Sequence, residues 1–222
     1  HILGRYYLWG EYVEKDEKRA SSILVDLAGK GHWGSRGWCH KYGYGPYEKS
    51  VEKAVECYRK GVEEGDEVSL CNLGYCFRNG TGVDKNEKEA VSLYHRAAKK
   101  GYPAAISNLG YCYDIGIGVE VDKKKAVQLY SQAADKGHAS AIFNLAYCYR
   151  NGDGVKKDKE KAIELYKKSA DLGYAIAMDN LKRLGIAYTP CPPKQEQQQE
   201  EEEEEEEVKG EAGVSASTNM EE

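Results

Sequence analysis

The chain has 222 residues, 41% of them apolar and 31% charged, and no apolar run approaches the roughly 18 residues needed to span a bilayer as a helix. The net charge of -5 conceals a split: residues 191–222 hold 12 acidic and 2 basic groups, leaving +5 on residues 1–190 and -10 on the tail. A nearly balanced body with an acidic appendage argues against a membrane-embedded chain and against a nucleic-acid binder that works through a strongly basic surface.

There are 18 Tyr against 2 Phe, and 24 Gly against 5 Pro, a bias that points to a repeated template. In chain order the first unit, about 1–32, places Leu3, Gly4, Gly10, Val13, Ala20, Ala28 and Gly31 70 residues before Leu73, Gly74, Gly80, Val83, Ala90, Ala98 and Gly101. It begins without Met and in mid-helix at Leu3-Gly4, which predicts a fragment or processed form whose uncapped first repeat destabilises it or drives self-association. The second unit, 33–66, is degenerate. Gly37, Cys39, Gly43 and Gly45 precede Gly74, Cys76, Gly80 and Gly82 by 37 residues, and Ala54 and Tyr58 precede Ala90 and Tyr94 by 36. Its first helix reads about three residues short, so irregular packing is expected there.

Units 67–102, 103–138 and 139–174 then repeat in a strict register of 36: CNLGYCFRNGTGV (71–83) aligns with SNLGYCYDIGIGV (107–119) and FNLAYCYRNGDGV (143–155). A final helix covers 175–184. Within a unit, Ala105, Ile106, Leu109, Gly110 and Tyr113 fall at helical spacing, as do Ala126, Val127, Leu129, Tyr130, Ala133 and Ala134. Two antiparallel helices with small residues at their contact, into which Tyr113 and Tyr130 pack, cannot bury these stripes alone and must stack on their neighbours. Gly116-Ile117-Gly118 and Gly152-Asp153-Gly154 lack the third glycine or the Lys-Ser/Thr of a phosphate loop. They recur between the same two helices and read as tight or left-handed turns.

The pattern A-x-x-x-L-G-x-x-Y-x-x-G-x-G-V, a charged linker, then K-A-x-x-x-Y-x-x-A-A-x-x-G resembles the Sel1-like repeat, a relative of the tetratricopeptide repeat. The resemblance runs from about Leu3 to Leu184 and is strongest over Ser69 to Leu184. It implies an all-α, right-handed α/α superhelix, a solenoid of helical hairpins used as a non-enzymatic scaffold for protein complexes, without naming a partner.

Seven cysteines are present. Cys39, Cys76, Cys112 and Cys148 occupy one repeat position. Equivalent sites on stacked helices lie about 8–10 Å apart, beyond the roughly 7 Å Cα reach of a disulfide. They read as reduced, buried thiols. Some secreted bacterial proteins resembling this one carry a cysteine pair joining the two helices of every unit, and that pairing is missing. An odd cysteine count favours a reducing compartment, cytoplasmic or nuclear. An endoplasmic-reticulum location needs a preceding signal sequence, and glycan occupancy at the sequon Asn79-Gly80-Thr81, which chance in an N-G turn also explains, would support it. The histidines are scattered and Cys39-His40 is a lone dipeptide whose side chains diverge on a helix, so neither a metal, a cofactor nor a catalytic nucleophile is expected.

Asn72, Asn108, Asn144 and Asn180 stand 36 residues apart, each just before the Leu-Gly position of a first helix. Asn is a poor interior helix residue. In a tetratricopeptide-like superhelix first helices line the concave groove, where a side-chain amide pairs with a peptide group whatever the peptide's sequence. Tyr75, Tyr111 and Tyr147, three residues on, with Cys71, Ser107 and Phe143 one residue before, would set preference. The competing reading has each Asn bond to a neighbouring helix and hold the stacking angle. Arg78, Asp114 and Arg150 read first as solvated charges and second as a groove pattern of plus, minus, plus.

From 188 the chain turns to TPCPPKQEQQQ and eight consecutive Glu, 200–207. Prolines stop the helix and the glutamates repel, so this tail is expected to be disordered. It serves solubility, or binds basic partners or the body's own basic surface. The expected function is a protein- or peptide-binding adaptor. The alternatives are the regulatory segment of a larger enzyme, such as a kinase or ubiquitin ligase, and an adaptor in endoplasmic-reticulum disposal of misfolded proteins.

Overall fold

The computed structural model describes residues 16–189, and among them there are ten α-helices and no strand. The sequence expectations for the mid-helix start at Leu3-Gly4 and for the glutamate tail lie outside the described residues. The chain divides after Tyr188 into two units, and every described helix belongs to the first. In order these are α1 (Glu17–Gly29), α2 (Trp33–Tyr42), α3 (Val51–Glu63), α4 (Glu67–Asn79), α5 (Glu87–Lys99), α6 (Pro103–Ile115), α7 (Lys123–Asp135), α8 (Ala139–Asn151), α9 (Lys159–Asp171) and α10 (Ala175–Arg183). Consecutive helices pack on one another throughout. The result is an α/α solenoid in which α2, α4, α6 and α8 are first helices and α3, α5, α7 and α9 second helices. Helix α2 has 10 residues where α4, α6 and α8 have 13, so the short first helix read from the sequence is present.

Each second helix starts on the same device. Ser50, Asn86, Asp122 and Asp158 sit in extended backbone and accept a hydrogen bond from the amide three residues on, at Lys53, Glu89, Lys125 and Lys161. Removing such a cap costs about 1 kcal/mol. First helices start differently. Only α4 has a side-chain cap, Asp66, while Tyr102, His138 and Tyr174 occupy the same place without one. Pro103 suits the first turn of α6 because its missing N–H is unneeded there.

The core is one stripe handed from unit to unit. Tyr58, Tyr94, Tyr130 and Tyr166, one per second helix, are fully buried. Their rings lie where the opposing first helix has no side chain. A Cβ built on Gly37 would stand 2.2 Å from Tyr58 Cε1, on Gly74 2.8 Å from Tyr94 Cε1, and on Gly110 3.0 Å from Tyr130. Ala146 takes this place opposite Tyr166, and both belong to the last core cluster. Tyr113, expected in the same gap, is instead only half-buried, and its hydroxyl accepts from Lys125 Nζ at 2.7 Å. It lies one turn past the glycine notch.

The two glycines of each G-x-G turn do different work. The first, as at Gly80 and Gly116, ends a helix in the left-handed region, its N–H bonding to the Cys76 or Cys112 carbonyl. The second also approaches backbone of the preceding unit: a Cβ on Gly118 would lie 2.4 Å from the Glu87 carbonyl oxygen, and on Gly154 2.3 Å from that of Lys123. Left-handed backbone costs a non-glycine residue about 1–2 kcal/mol. Gly80→Ala, with nothing nearer than 3.5 Å, should lower stability by about that amount. Gly118→Ala should lose clearly more, because backbone must shift. Urea unfolding of the two variants compares them directly, and equal losses would refute the close-approach role.

The six described cysteines, Cys39, Cys57, Cys71, Cys76, Cys112 and Cys148, are free and buried. Burial pushes the Cys39 and Cys112 thiols up to about 11 and Cys148 to about 12, from an ordinary 9.0. It also pushes the core tyrosines above their usual range. These groups are held neutral in the fold and ionise first in the unfolded chain, so stability is whole below about pH 8.5. It should then fall steadily as pH rises toward the folded values. The urea midpoint should drop between pH 7.5 and 10.5, less so in Cys112→Ala/Cys148→Ala; a flat profile would contradict the burial argument.

Candidate functional site

First helices of successive units also touch each other, α2 with α4 and α6 with α8. Their outer faces converge on one cavity of about 450 Å³, lined from Trp38 on α2 to Tyr174 at the start of α10. A single hollow reached by α2, α4, α6 and α8 requires the first-helix side of the stack to be concave. Two other open hollows, at 113–124 and 149–161, occupy the same inter-helix linker in successive units and are a by-product of the repeat.

The asparagine ladder runs along the cavity side, and all four residues are half-buried. They do not behave alike. Asn108 donates through Nδ2 to Cys71 Sγ at 3.5 Å, and Asn180 Oδ1 accepts from Arg150 Nη1 at 3.4 Å. Each of these ties a helix to the preceding unit. Asn72 and Asn144 have no hydrogen-bond partner among the described residues. The cavity brings together Asn72, Tyr75 and Asn108. Tyr111 and Tyr147 are exposed at the same repeat position, but neither lines this cavity, nor do Asn144 and Asn180. Of the residues expected beside them, Cys71 lines the cavity. Ser107 turns into the core, and Phe143 packs on Tyr166 and Tyr174 with ring centroids 5.3 and 5.4 Å apart.

Arg78, Asp114 and Arg150 are not solvated surface charges, which corrects the first reading of them. All three are half-buried. Arg78 lies over the Tyr75 and Tyr111 rings, 5.2 and 5.5 Å from their centroids. Asp114 accepts from Lys123 Nζ at 2.7 Å and from the Tyr130 hydroxyl at 3.4 Å, and this carboxylate raises the Lys123 ammonium. Arg150 reaches Asn180, and both lie beside the Tyr166 hydroxyl. Burial pushes that phenol up, and the Arg150 and Asn180 side chains push it back.

Five contributors escaped sequence reasoning. Trp38 and Lys41 stand at the places of Tyr75 and Arg78 in the irregular unit. Lys41 Nζ sits over Trp38, Tyr42 and Tyr75 at 5.8, 5.3 and 4.7 Å. The 37-residue offset of that unit was the available signal. Tyr102 and His138, at uncapped helix starts, also line the cavity. So does Tyr174; the aromatic that follows Gly101, Gly137 and Gly173 at intervals of 36 was visible in the sequence.

A Sel1 repeat family model matches residues 1–20, 33–66, 68–102, 103–138 and 139–174. Among solved structures, a Sel1 repeat protein from Oxalobacter formigenes is 33% identical, with a TM-score of 0.65, covering 90% of this chain and 82% of its own. The protective antigen c5321 of uropathogenic Escherichia coli, described as displaying an SLR fold, is 28% identical with a TM-score of 0.58, and the match covers 85% of this chain but only 42% of that one. Immunity protein Pa5087 from Pseudomonas aeruginosa is 26% identical with a TM-score of 0.53, over 72% and 60% of the two chains. Comparison with curated protein sequences gives no significant match. Among the described residues no helix is long and apolar enough to cross a membrane. Sel1 repeat proteins generally mediate protein–protein interaction and are typically non-catalytic scaffolds. With five repeat matches spanning most of its helical body, this chain belongs to the Sel1 repeat family.

Proposed function

We propose that this protein is a non-enzymatic adaptor that holds an extended segment of a partner protein in the concave face of its repeat array. The observation that carries the reading is the Asn72 amide, half-buried, without a hydrogen-bond partner among the described residues, and set in the wall of the 450 Å³ cavity beside Tyr75 and Asn108. An amide both donates and accepts, so it suits a passing peptide group, while tyrosine supplies contact area at low rotamer cost. Asn144, equally unpartnered, and the exposed Tyr111 and Tyr147 extend the same surface along the stack. Asn108 and Asn180 act between units, and their contribution to binding is to fix the angle at which the wall is presented.

The division of labour is testable. Twelve-residue peptides selected from a random display library against the full chain provide the probes. Asn72→Ala/Tyr75→Ala should weaken them about tenfold or more, about 1.4 kcal/mol, with little change in thermal midpoint. Asn180→Ala, which strips Arg150 of its partner, should instead lower the midpoint. Failure to select any peptide, or selected peptides indifferent to the double variant in fluorescence anisotropy, would defeat the proposal.

A further inference from the structure

Resting on the peptide-groove reading above, we infer that the groove prefers an extended acidic segment, one whose Asp or Glu side chains seat against Lys41 and Arg78.

The cavity wall carries Lys41, Arg78 and His138 and no carboxylate. Lys41 and Arg78 approach the same ring, Tyr75, at 4.7 and 5.2 Å. Each is held there by further aromatics, Trp38 and Tyr42 on one side and Tyr111 on the other. Among the described residues neither cation has a carboxylate partner. Two like charges sharing one ring repel, and cation–π contact alone offsets only part of this. Both side chains line the cavity. An incoming carboxylate neutralises the pair and gains charge-assisted hydrogen bonds from a pre-positioned guanidinium fork.

Geometry favours side chains of a passing strand. Lys41 and Arg78 sit at equivalent places on adjacent helices, about 8–10 Å apart. Alternate residues of an extended chain point the same way at about 6.6 Å spacing, so carboxylates at i and i+2 reach both cations. The rung beyond is closed to such a ligand, because Asp114 fills it and is already paired with Lys123 at 2.7 Å. The acidic pair is therefore confined to the α2–α4 end. Single-stranded nucleic acid shares the negative charge but needs free aromatic faces for stacking, and the faces of Tyr75 and Tyr111 are engaged by Lys41 and Arg78.

The test uses the full chain and three probes with a blocked C-terminus: a twelve-residue peptide with Glu at alternate positions among Ser and Tyr, the same peptide with Gln for Glu, and an oligothymidylate. The Glu peptide should bind at least about tenfold tighter than the Gln peptide, and the difference should shrink as salt is raised. Lys41→Gln/Arg78→Gln should abolish the difference between the two peptides. Lys88→Gln/Lys99→Gln, the same loss of charge on exposed positions of α5, should change nothing, which separates site from net charge. Equal binding of the two peptides overturns the acidic preference and leaves the peptide groove standing, whereas loss of display-selected binders as well defeats both. Tighter binding of the oligothymidylate, or Glu-peptide binding only after Glu200–Glu207 are changed to Gln, overturns the inference in favour of a nucleic acid or of the chain's own acidic run.

Discussion

A tyrosine ring seated against the bare Cα of a glycine on the opposing helix sets the geometry of three hairpins in this protein, and the same ring against Ala146 sets that of a fourth. The contact fixes how closely the two helices approach, and with it the direction in which the first helix presents its outer face. It also explains the tyrosine bias of the composition. A phenylalanine would fill the same notch, but in two units the hydroxyl meets groove-face polar groups: Tyr130 donates to Asp114, and Tyr166 lies by Arg150 and Asn180. In the third, Arg78 draws the Tyr94 phenol down against the larger upward effect of burial. The phenol is thus the link between a dry core and a polar wall. Its cost is visible at Tyr94, whose buried hydroxyl has no hydrogen-bond partner among the described residues, an arrangement tolerated because the ring's apolar burial outweighs one unmet hydroxyl.

Stacking between hairpins rests on a second close approach, the glycine at 82, 118 or 154 lying on the start of the preceding unit's second helix. Because that helix start is independently fixed by its capping Ser, Asn or Asp, the glycine docks on a rigid target. Errors in unit-to-unit angle would accumulate along the array, so a contact between backbone atoms, insensitive to rotamers, is an effective way to hold the register. The irregular unit departs here: Gly45 meets the Val25 side chain, and its short α2 brings Gly37 closest of all to its tyrosine.

The fold was legible because stacking forces the same residue types to return every 36 positions, and the buried glycine, alanine and tyrosine positions recur because close helix contact constrains them. The site was legible in part. Asn72, Tyr75 and Asn108 were readable as a ladder, since Asn inside a helix needs a reason. What the ladder does at each rung was not, because Asn108 bonds to Cys71 and Asn180 to Arg150 through neighbours that differ from unit to unit. Trp38 and Lys41 were hidden by the shifted register of the degenerate unit. Arg78 and Asp114 looked like ordinary surface charges because sequence does not reveal that an adjacent tyrosine ring or a lysine nine residues on will enclose them.

This division between fixed and free positions bears on how such an array acquires specificity. The notch holds only Gly or Ala, the caps Ser, Asn or Asp, and the second glycine of each turn lies against backbone, so these positions are narrowly constrained. The position three residues after the groove tyrosine is different: it is Lys41, Arg78, Asp114 and Arg150 in successive units, and each found a local partner without disturbing the frame. Two of its occupants, Lys41 and Arg78, line the cavity, so a single change there alters the charge of that wall while the notch and the caps keep the frame.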